Sequence, residues 1–239
     1  MSDGRTATVC GRFEIHSAIE IIARIFQLDA IDAALTQNYN IAPSQEIAIV
    51  INDGENRLVH SRWGFVPAWS KELKTGYTMI NARAETVAAN RTFRHAFEKQ
   101  RCLVPADGFY EWDKKEKARK PHYVHLASGR PMGFAGLYTI WNPPEGASIR
   151  TCAIITTVSN ELLAPLHPRM PAIVDEEDYS LWLDPARQDK DALQAVLKPC
   201  APERLECHRV TSKVNSYKYN NPENIAPVES KAEKKGGAL

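Results

Sequence analysis

The chain has 239 residues, 44% of them apolar and 25% charged, with a formal net charge of +1 at pH 7. That composition suits a soluble globular protein with a real core and excludes a disordered or fibrous chain. So small a net charge gives no bulk attraction to a polyanion, so nucleic-acid binding would have to come from a local cluster of basic residues.

The first residues, MSDGRTATVC, lack the apolar centre of a signal peptide. SAIEIIARIFQL then places apolar residues at helical spacing, with Ser17 as N-cap and Glu20 completing a capping box. YNIAPSQEIAIVIN turns at Pro43 and runs into an alternating, β-branched strand, and NRLVHSRWGFVPAW is its hairpin partner across the turn NDGEN. INARAETVAANRTFRHAFEKQRCLVPADGFYEW reads as a loop, a helix rich in Ala and Arg, and a strand through FYEW. DKKEKARK is a solvated, charged hairpin loop. PHYVHLA, MGFAGLYTIW and TCAIITTVS are three further strands, DEEDYSLWLD and DKDALQAVL are short helices with acidic caps, and ECHRVTS is a last strand. The polar stretch 229–239, ESKAEKKGGAL, is expected to be a disordered tail.

Many strands joined by hairpin-length loops, with a few helices at intervals, predict a single α+β domain. Its core is a distorted, antiparallel, β-barrel-like sheet flanked by short helices. The sequence shows no repeat, no glycine-rich phosphate loop and no linker between independent domains. No apolar run approaches the about 20 residues that span a bilayer, so no membrane partner is expected.

The five cysteines, Cys10, Cys102, Cys152, Cys200 and Cys207, are odd in number and show no C-x-x-C pair. Free thiols in a reducing cytoplasm are the economical reading. A metal site built from Cys200, Cys207 and His208, or from His122 and His125, is poorly arranged. His122 and His125 point to opposite faces of a strand, and Cys207 and His208 are adjacent. No metal and no cofactor are expected.

Four stretches hold polar residues that a purely structural sequence would not need: VCGRF (Cys10, Arg12), INARAE (Asn81, Arg83, Glu85) with Arg91 beyond it, PADGFYEW (Asp107, Glu111) and LHPRMP (His167, Arg169). Singly, each has a plain structural reading. Cys10 is a small buried hydrophobe, Glu111 a solvent-facing strand residue, His167 a turn residue, Asn81 a helix cap, and the arginines surface ion-pair partners.

Together, in order and wording, the stretches resemble the SOS-response-associated peptidase (SRAP) domain proteins. The resemblance extends over 10–228 and includes YNIAPSQ, RWGFVPAW and the closing VNSYKYNN with IAPV. It implies a single α+β domain with a distorted β-barrel and a positively charged groove. It also implies covalent capture of abasic sites in single-stranded DNA, in a DNA damage response, by a cysteine at the amino terminus. Carried over by position, Cys10 is that cysteine, Asn81, Glu111 and His167 are the site residues, and Arg12, Arg83 and Arg91 hold DNA phosphates. Among the aromatic residues, Trp63, Phe65, Trp69 and Tyr77 are candidates to stack on bases, and most rings of WGFVPAW are assigned to a core hairpin.

The chemistry follows from the residue types. An α-amine with a pKa of about 8 is partly neutral at physiological pH and attacks the aldehyde of a ring-opened abasic sugar. The adjacent thiol then closes a thiazolidine on the imine. Only an amino-terminal cysteine offers both groups on neighbouring atoms. Glu111 would shuttle protons, His167 protonate the opening sugar oxygen, and Asn81 hold the amine or thiol. The alternatives are a thiol peptidase or autopeptidase using Cys10 and His167, and a non-covalent binding module for single-stranded DNA. The protein is expected to act as a monomer.

In the family pattern the cysteine directly follows the initiator methionine, whereas nine residues precede Cys10 here. Residues 1–9 are therefore expected to be a leader or a mis-assigned start. Translation from Val9, whose GTG codon also initiates in bacteria, would free the Cys10 amine, and so would self-cleavage of the Val9–Cys10 bond.

Overall fold

The structure is a computed structural model and describes residues 10–77, 79–113 and 120–228. The leader 1–9, the heart of the charged loop DKKEKARK, the tail 229–239 and the Tyr77 side chain lie outside the described residues. In chain order the first elements are β1 (Phe13–Ile15), α1 (Ile19–Ile25), β2 (Ala30–Ile31), β3 (Asn38–Ile41), β4 (Glu46–Asn52), β5 (Asn56–Trp63), β6 (Asn81–Arg83) and α2 (Arg94–Lys99). Next come β7 (Arg101–Ala106), β8 (Gly108–Trp112), β9 (Pro121–Leu126), β10 (Met132–Trp141) and β11 (Ile149–Val158). The last are β12 (Arg169–Pro171), β13 (Ile173–Val174), α3 (Tyr179–Leu183), α4 (Lys190–Ala195) and β14 (Leu205–Arg209).

Five strands close on themselves. β4 and β5 form the predicted hairpin, in register from Glu46↔Arg62 to Asn52↔Asn56, and Gly54 takes the left-handed position in its turn at φ +118°. β5 then pairs in parallel with β11 through Cys152↔Trp63. β11 runs antiparallel to β10, β10 to β7, and β7 returns to β4 at Val50↔Leu103. The predicted barrel is thus present and closed, and its single parallel seam makes it mixed rather than wholly antiparallel. β10 and β11 are buried on both faces over most of their length, which accounts for their near-continuous apolar runs.

A second sheet, ordered β14-β9-β8-β1-β3, is antiparallel throughout. Alternation gives it two different faces. Phe13, Phe109 and Val124 join the main core, where Phe13 meets Trp63 edge-on at 5.1 Å and Phe134 at 6.0 Å. Tyr110 and Tyr123 turn the other way into a smaller cluster with Val210 and Val214.

The stretch read as one strand through FYEW is two strands in two sheets, with Asp107 alone between them. The Asp107 carboxylate accepts the backbone N–H groups of His16 (2.6 Å) and Ser17 (2.7 Å) and the Ser17 hydroxyl (2.5 Å). This corrects the predicted capping box. α1 begins after Ala18 with no side-chain cap, because a charged acceptor holds the Ser17 hydroxyl better than a neutral cap would use it.

Beyond Gly136 and Ile154 the strands β10 and β11 part. β12 fills the gap on the β11 side, pairing with Thr156–Val158, and β13 pairs with Gly133 and Phe134 of β10. β6 lies along the other edge of β11, in parallel, at Ile154–Thr156. Among the described residues no helix is long and apolar enough to cross a membrane.

Candidate active site

Cys10 lies three residues before the start of β1 and is fully buried. Its backbone nitrogen donates to Glu111 Oε1 at 2.9 Å, drawing together residues that the chain separates by 101 positions. Two local features make that contact. Pairing of β1 with β8 at Phe13↔Phe109 runs the two segments side by side, and the backbone N–H of Tyr110 donates to the Arg12 carbonyl at 3.0 Å. Glu111 shares the face of Phe109, which turns its carboxylate inward rather than to solvent, and it is buried. Cys10 adopts φ +42°, the left-handed region that a residue with a Cβ seldom occupies. The strain falls at the residue on which the chemistry would turn. Burial, with the Glu111 charge adding, pushes the Cys10 thiol well above the ordinary thiol range.

Asn81 and His167 come from the two segments that flank β11. Thr156 pairs with Arg83 of β6 on one side and Pro171 of β12 on the other. His167, buried, ends the turn that leads into β12. His167 Nδ1 lies against the backbone of Arg169, 3.1 Å from its nitrogen and 3.2 Å from its carbonyl oxygen. Arg169 then ties the two segments together. Its guanidinium makes a bidentate pair with Glu85, both contacts at 3.0 Å, and reaches the Thr156 hydroxyl at 3.2 Å and the Thr156 carbonyl. Partial burial opposes ionisation of Glu85, yet the Arg169 hydrogen bonds hold its carboxyl below the usual range.

The arginines divide into two kinds. Arg83 and Arg91 are exposed and able to meet phosphates. Arg12 is half-buried and committed internally: one nitrogen donates to Asn40 Oδ1 at 2.6 Å and to the Val214 carbonyl at 2.8 Å, and the guanidinium lies 6.0 Å from the centre of the Trp112 ring. Trp63 requires a correction. It is fully buried, its indole N–H donates to the Ile80 carbonyl at 3.0 Å, and no base can stack on it without opening the core. Trp69, six residues on, is 68% exposed and is the ring of that stretch that faces solvent.

Sequence reasoning missed Asn40. Fully buried at the end of YN, its side-chain amide donates to the carbonyls of Val214 (3.2 Å), Ser216 (2.9 Å) and Tyr219 (2.8 Å) while its oxygen receives Arg12. It fastens the closing VNSYKY segment to the strand beside the Cys10 turn. The available signal was an amide side chain directly before the apolar run IA. Also missed was a cluster on the outer face of β1. Glu14, fully buried, accepts from the Tyr123 hydroxyl at 2.5 Å and meets His16 Nδ1 at 2.9 Å. Gly108 makes room for that ring, because a Cβ there would collide with Tyr123. Glu14, His16 and Asp107 bring ligand-type atoms within 4.8 Å of one another, each already engaged by protein partners.

A closed mixed barrel, a second sheet laid on it, and a buried cysteine held at its nitrogen by a strand glutamate define one class of protein. Residues 9–217 match the family model described as SOS response associated peptidase (SRAP), and the chain belongs to that family. It is 45% identical over 221 residues to the abasic site processing protein YoqW of Bacillus subtilis, covering 91% of this chain and 99% of that one. It is 33% identical to the abasic site processing protein HMCES of Pongo abelii, over 80% of this chain and 65% of that one. A solved structure from Bacteroides thetaiotaomicron shares the fold with a TM-score of 0.84 at 24% identity, covering 92% of this chain and 100% of that one.

Proposed function

We propose that this protein processes abasic sites in single-stranded DNA by forming a covalent thiazolidine through Cys10 once Cys10 is the amino-terminal residue. The observation that carries the reading is the Cys10 nitrogen held against the Glu111 carboxylate at 2.9 Å, in a chain whose relatives are named abasic site processing proteins. In the 239-residue chain that nitrogen is an amide and has no basic lone pair. Freed as an amine, it occupies a position where a carboxylate can receive and return its proton.

The steps balance without a cofactor. The neutral amine adds to the aldehyde carbon, and a proton moves from nitrogen to Glu111 and on to the new hydroxyl, which leaves as water. The thiol sulfur adds to the resulting imine carbon, and its proton ends on the ring nitrogen. One aldehyde, one amine and one thiol give one thiazolidine and one water. His167 is the acid for the sugar ring oxygen as the ring opens, and Asn81 orients the reacting nitrogen. Arg83 and Arg91 hold the phosphates, and Trp69 supplies the exposed ring for stacking. A thiol peptidase needs a cysteine whose pKa is lowered by its partner. Burial and Glu111 push the Cys10 thiol the other way.

The test is a denaturing gel of single-stranded DNA carrying one abasic site, run with protein that begins at Cys10 and with protein that retains residues 1–9. A heat-stable shifted band with the first form and none with the second is expected. A band of equal intensity with both, when intact mass confirms that residues 1–9 are still attached, would remove the Cys10 amine from the reaction.

A further inference from the structure

We propose that Asn215 is a positioning residue for the capture reaction, holding the strand end that carries Glu111 in register with the segment that carries Cys10. The proposal rests on the function given above. Asn215 acts through Trp112 and Arg12, from the opposite face of the second sheet.

The sheet ladder alone does not reach the reacting pair. β8 pairs with β9 as far as Trp112↔Pro121, but its pairing with β1 ends at Phe13↔Phe109, two residues short of Glu111. Beyond that pair the two segments meet where the Tyr110 N–H donates to the Arg12 carbonyl at 3.0 Å and the Cys10 nitrogen to Glu111 at 2.9 Å. Cys10 holds φ +42° at this point, a conformation that persists only where the surroundings over-determine it.

Alternation puts the further restraint on the outer face. Glu111 points inward, so Tyr110 and Trp112 point outward. There Tyr110 joins Tyr123, Val210 and Val214, and Trp112 packs against that cluster. The turn Ser212–Asn215 is anchored in it by Val214, which is fully buried. A circuit of contacts then closes. The Trp112 indole N–H donates to Asn215 Oδ1 at 2.7 Å, and the Trp112 ring lies 6.0 Å from the Arg12 guanidinium. Arg12 donates to the Val214 carbonyl at 2.8 Å, and Val214 is joined to Asn215 by the chain itself. The circuit links the residue after Glu111 to the residue two after Cys10, so movement of either on the outer face shifts the contact on the inner face. Asn215 is exposed, whereas Val214 is buried and Arg12 has Asn40 as a second partner at 2.6 Å. Loss of the Asn215 side chain therefore loosens the register and leaves the core packing intact.

The test has two readouts. In the 239-residue chain, exchange of the Cys10 backbone N–H with solvent deuterium reads its contact with Glu111 directly. Asn215→Ala and Trp112→Phe are each expected to speed that exchange by about tenfold or more, with the melting temperature of Asn215→Ala within about 2 °C of the parent's. In protein that begins at Cys10, both variants are expected to slow single-turnover crosslinking at saturating DNA by about tenfold or more. Affinity for a single strand carrying tetrahydrofuran, an unreactive stand-in for the abasic sugar, is expected to stay at the parent's value. Asn215→Asp keeps an oxygen for the indole N–H and is expected to restore both readouts. The double variant should be no slower than Trp112→Phe alone, because the two substitutions break the same bond. Parent-like exchange or crosslinking in Asn215→Ala, additive losses in the double variant, or a loss that Asn215→Asp does not restore would each overturn the proposal. A fall in DNA affinity that accounts for the slower reaction would overturn it as well, by making Asn215 a DNA contact. The exchange readout does not need the capture reaction, so the positioning role and the capture reading can fail separately.

Discussion

The Cys10 nitrogen and the Glu111 carboxylate are hydrogen-bonded at 2.9 Å, and both residues are buried. The pairing of β1 with β8 delivers this contact, so the segment that carries Cys10 is fixed by the second sheet it leads into. In the proposed reaction, a carboxylate already held against that nitrogen needs no rearrangement before it can take a proton.

Glu111→Gln keeps the size of the side chain and removes its basicity, and His167→Ala removes the acid assigned in the proposed reaction. Each is expected to slow crosslinking by about 100-fold or more, in line with the usual contribution of general acid–base groups, while DNA affinity changes little. Single-turnover rates and equilibrium binding on the same protein check this. Unchanged rates in both variants, at matched folding, would take these residues out of the mechanism.

The two kinds of arginine predict different losses. Arg83→Ala and Arg91→Ala remove exposed cations, so each should reduce the salt dependence of single-strand binding by about 0.7 in slope and leave the melting temperature nearly unaltered. Titrations at several salt concentrations measure it. A slope equal to the parent's in both variants would place the groove elsewhere.

Asn40→Ala removes one hydrogen bond from each of three strap carbonyls and from one Arg12 nitrogen in a buried setting, leaving Val214 its bond from Arg12 and Tyr219 its bond from Asn224. A loss of about 2–4 kcal/mol is expected, seen as a fall in melting temperature of about 5–15 °C. Thermal unfolding reads it directly. A variant as stable as the parent would show that the closing segment is held by its apolar contacts alone.

His16 makes part of the stability depend on pH. The hydrogen bond to Glu14 raises its imidazole above 6.5, against partial burial and with Asp107 adding. Glu14 itself is raised, chiefly by burial. A raised folded-state value for His16 means a contribution fully present below about pH 6.5 and lost as pH rises through the folded value. His16→Gln should therefore cost more in melting temperature at about pH 5.5 than at about pH 8.5. The opposite ordering would show that the ring is not charged in the folded protein.

Local pattern was enough to determine most of the elements. The hairpin across NDGEN, the strands in PHYVHLA, MGFAGLYTIW and TCAIITTVS, and the mixed α and β content follow from alternation and turn chemistry, which neighbouring residues decide among themselves. The stretches containing Cys10, Asn81, Glu111 and His167 stood out only as a set, through their resemblance to one family, because singly each had a plain structural reading.

Tertiary structure decided how those residues are used. A tryptophan in RWGFVPAW suits a surface or a core equally, and only the arrival of Phe13 from another sheet encloses Trp63 and leaves Trp69 outside. Arg12 reads as a phosphate ligand until Asn40 and Val214, far along the chain, take its guanidinium. Asp107 reads as a candidate for chemistry until the turn before α1 brings three donors to it. The parallel seam of β5 with β11 joins strands nearly ninety residues apart, and no local periodicity encodes such a pairing. A side chain's partners are set by contacts across the fold, whereas its strand or helix is set within a few residues of it. Hence the sequence by itself determined which elements and which chemical groups are present, and the tertiary structure decided which of those groups the fold encloses, which it pairs and which it leaves exposed.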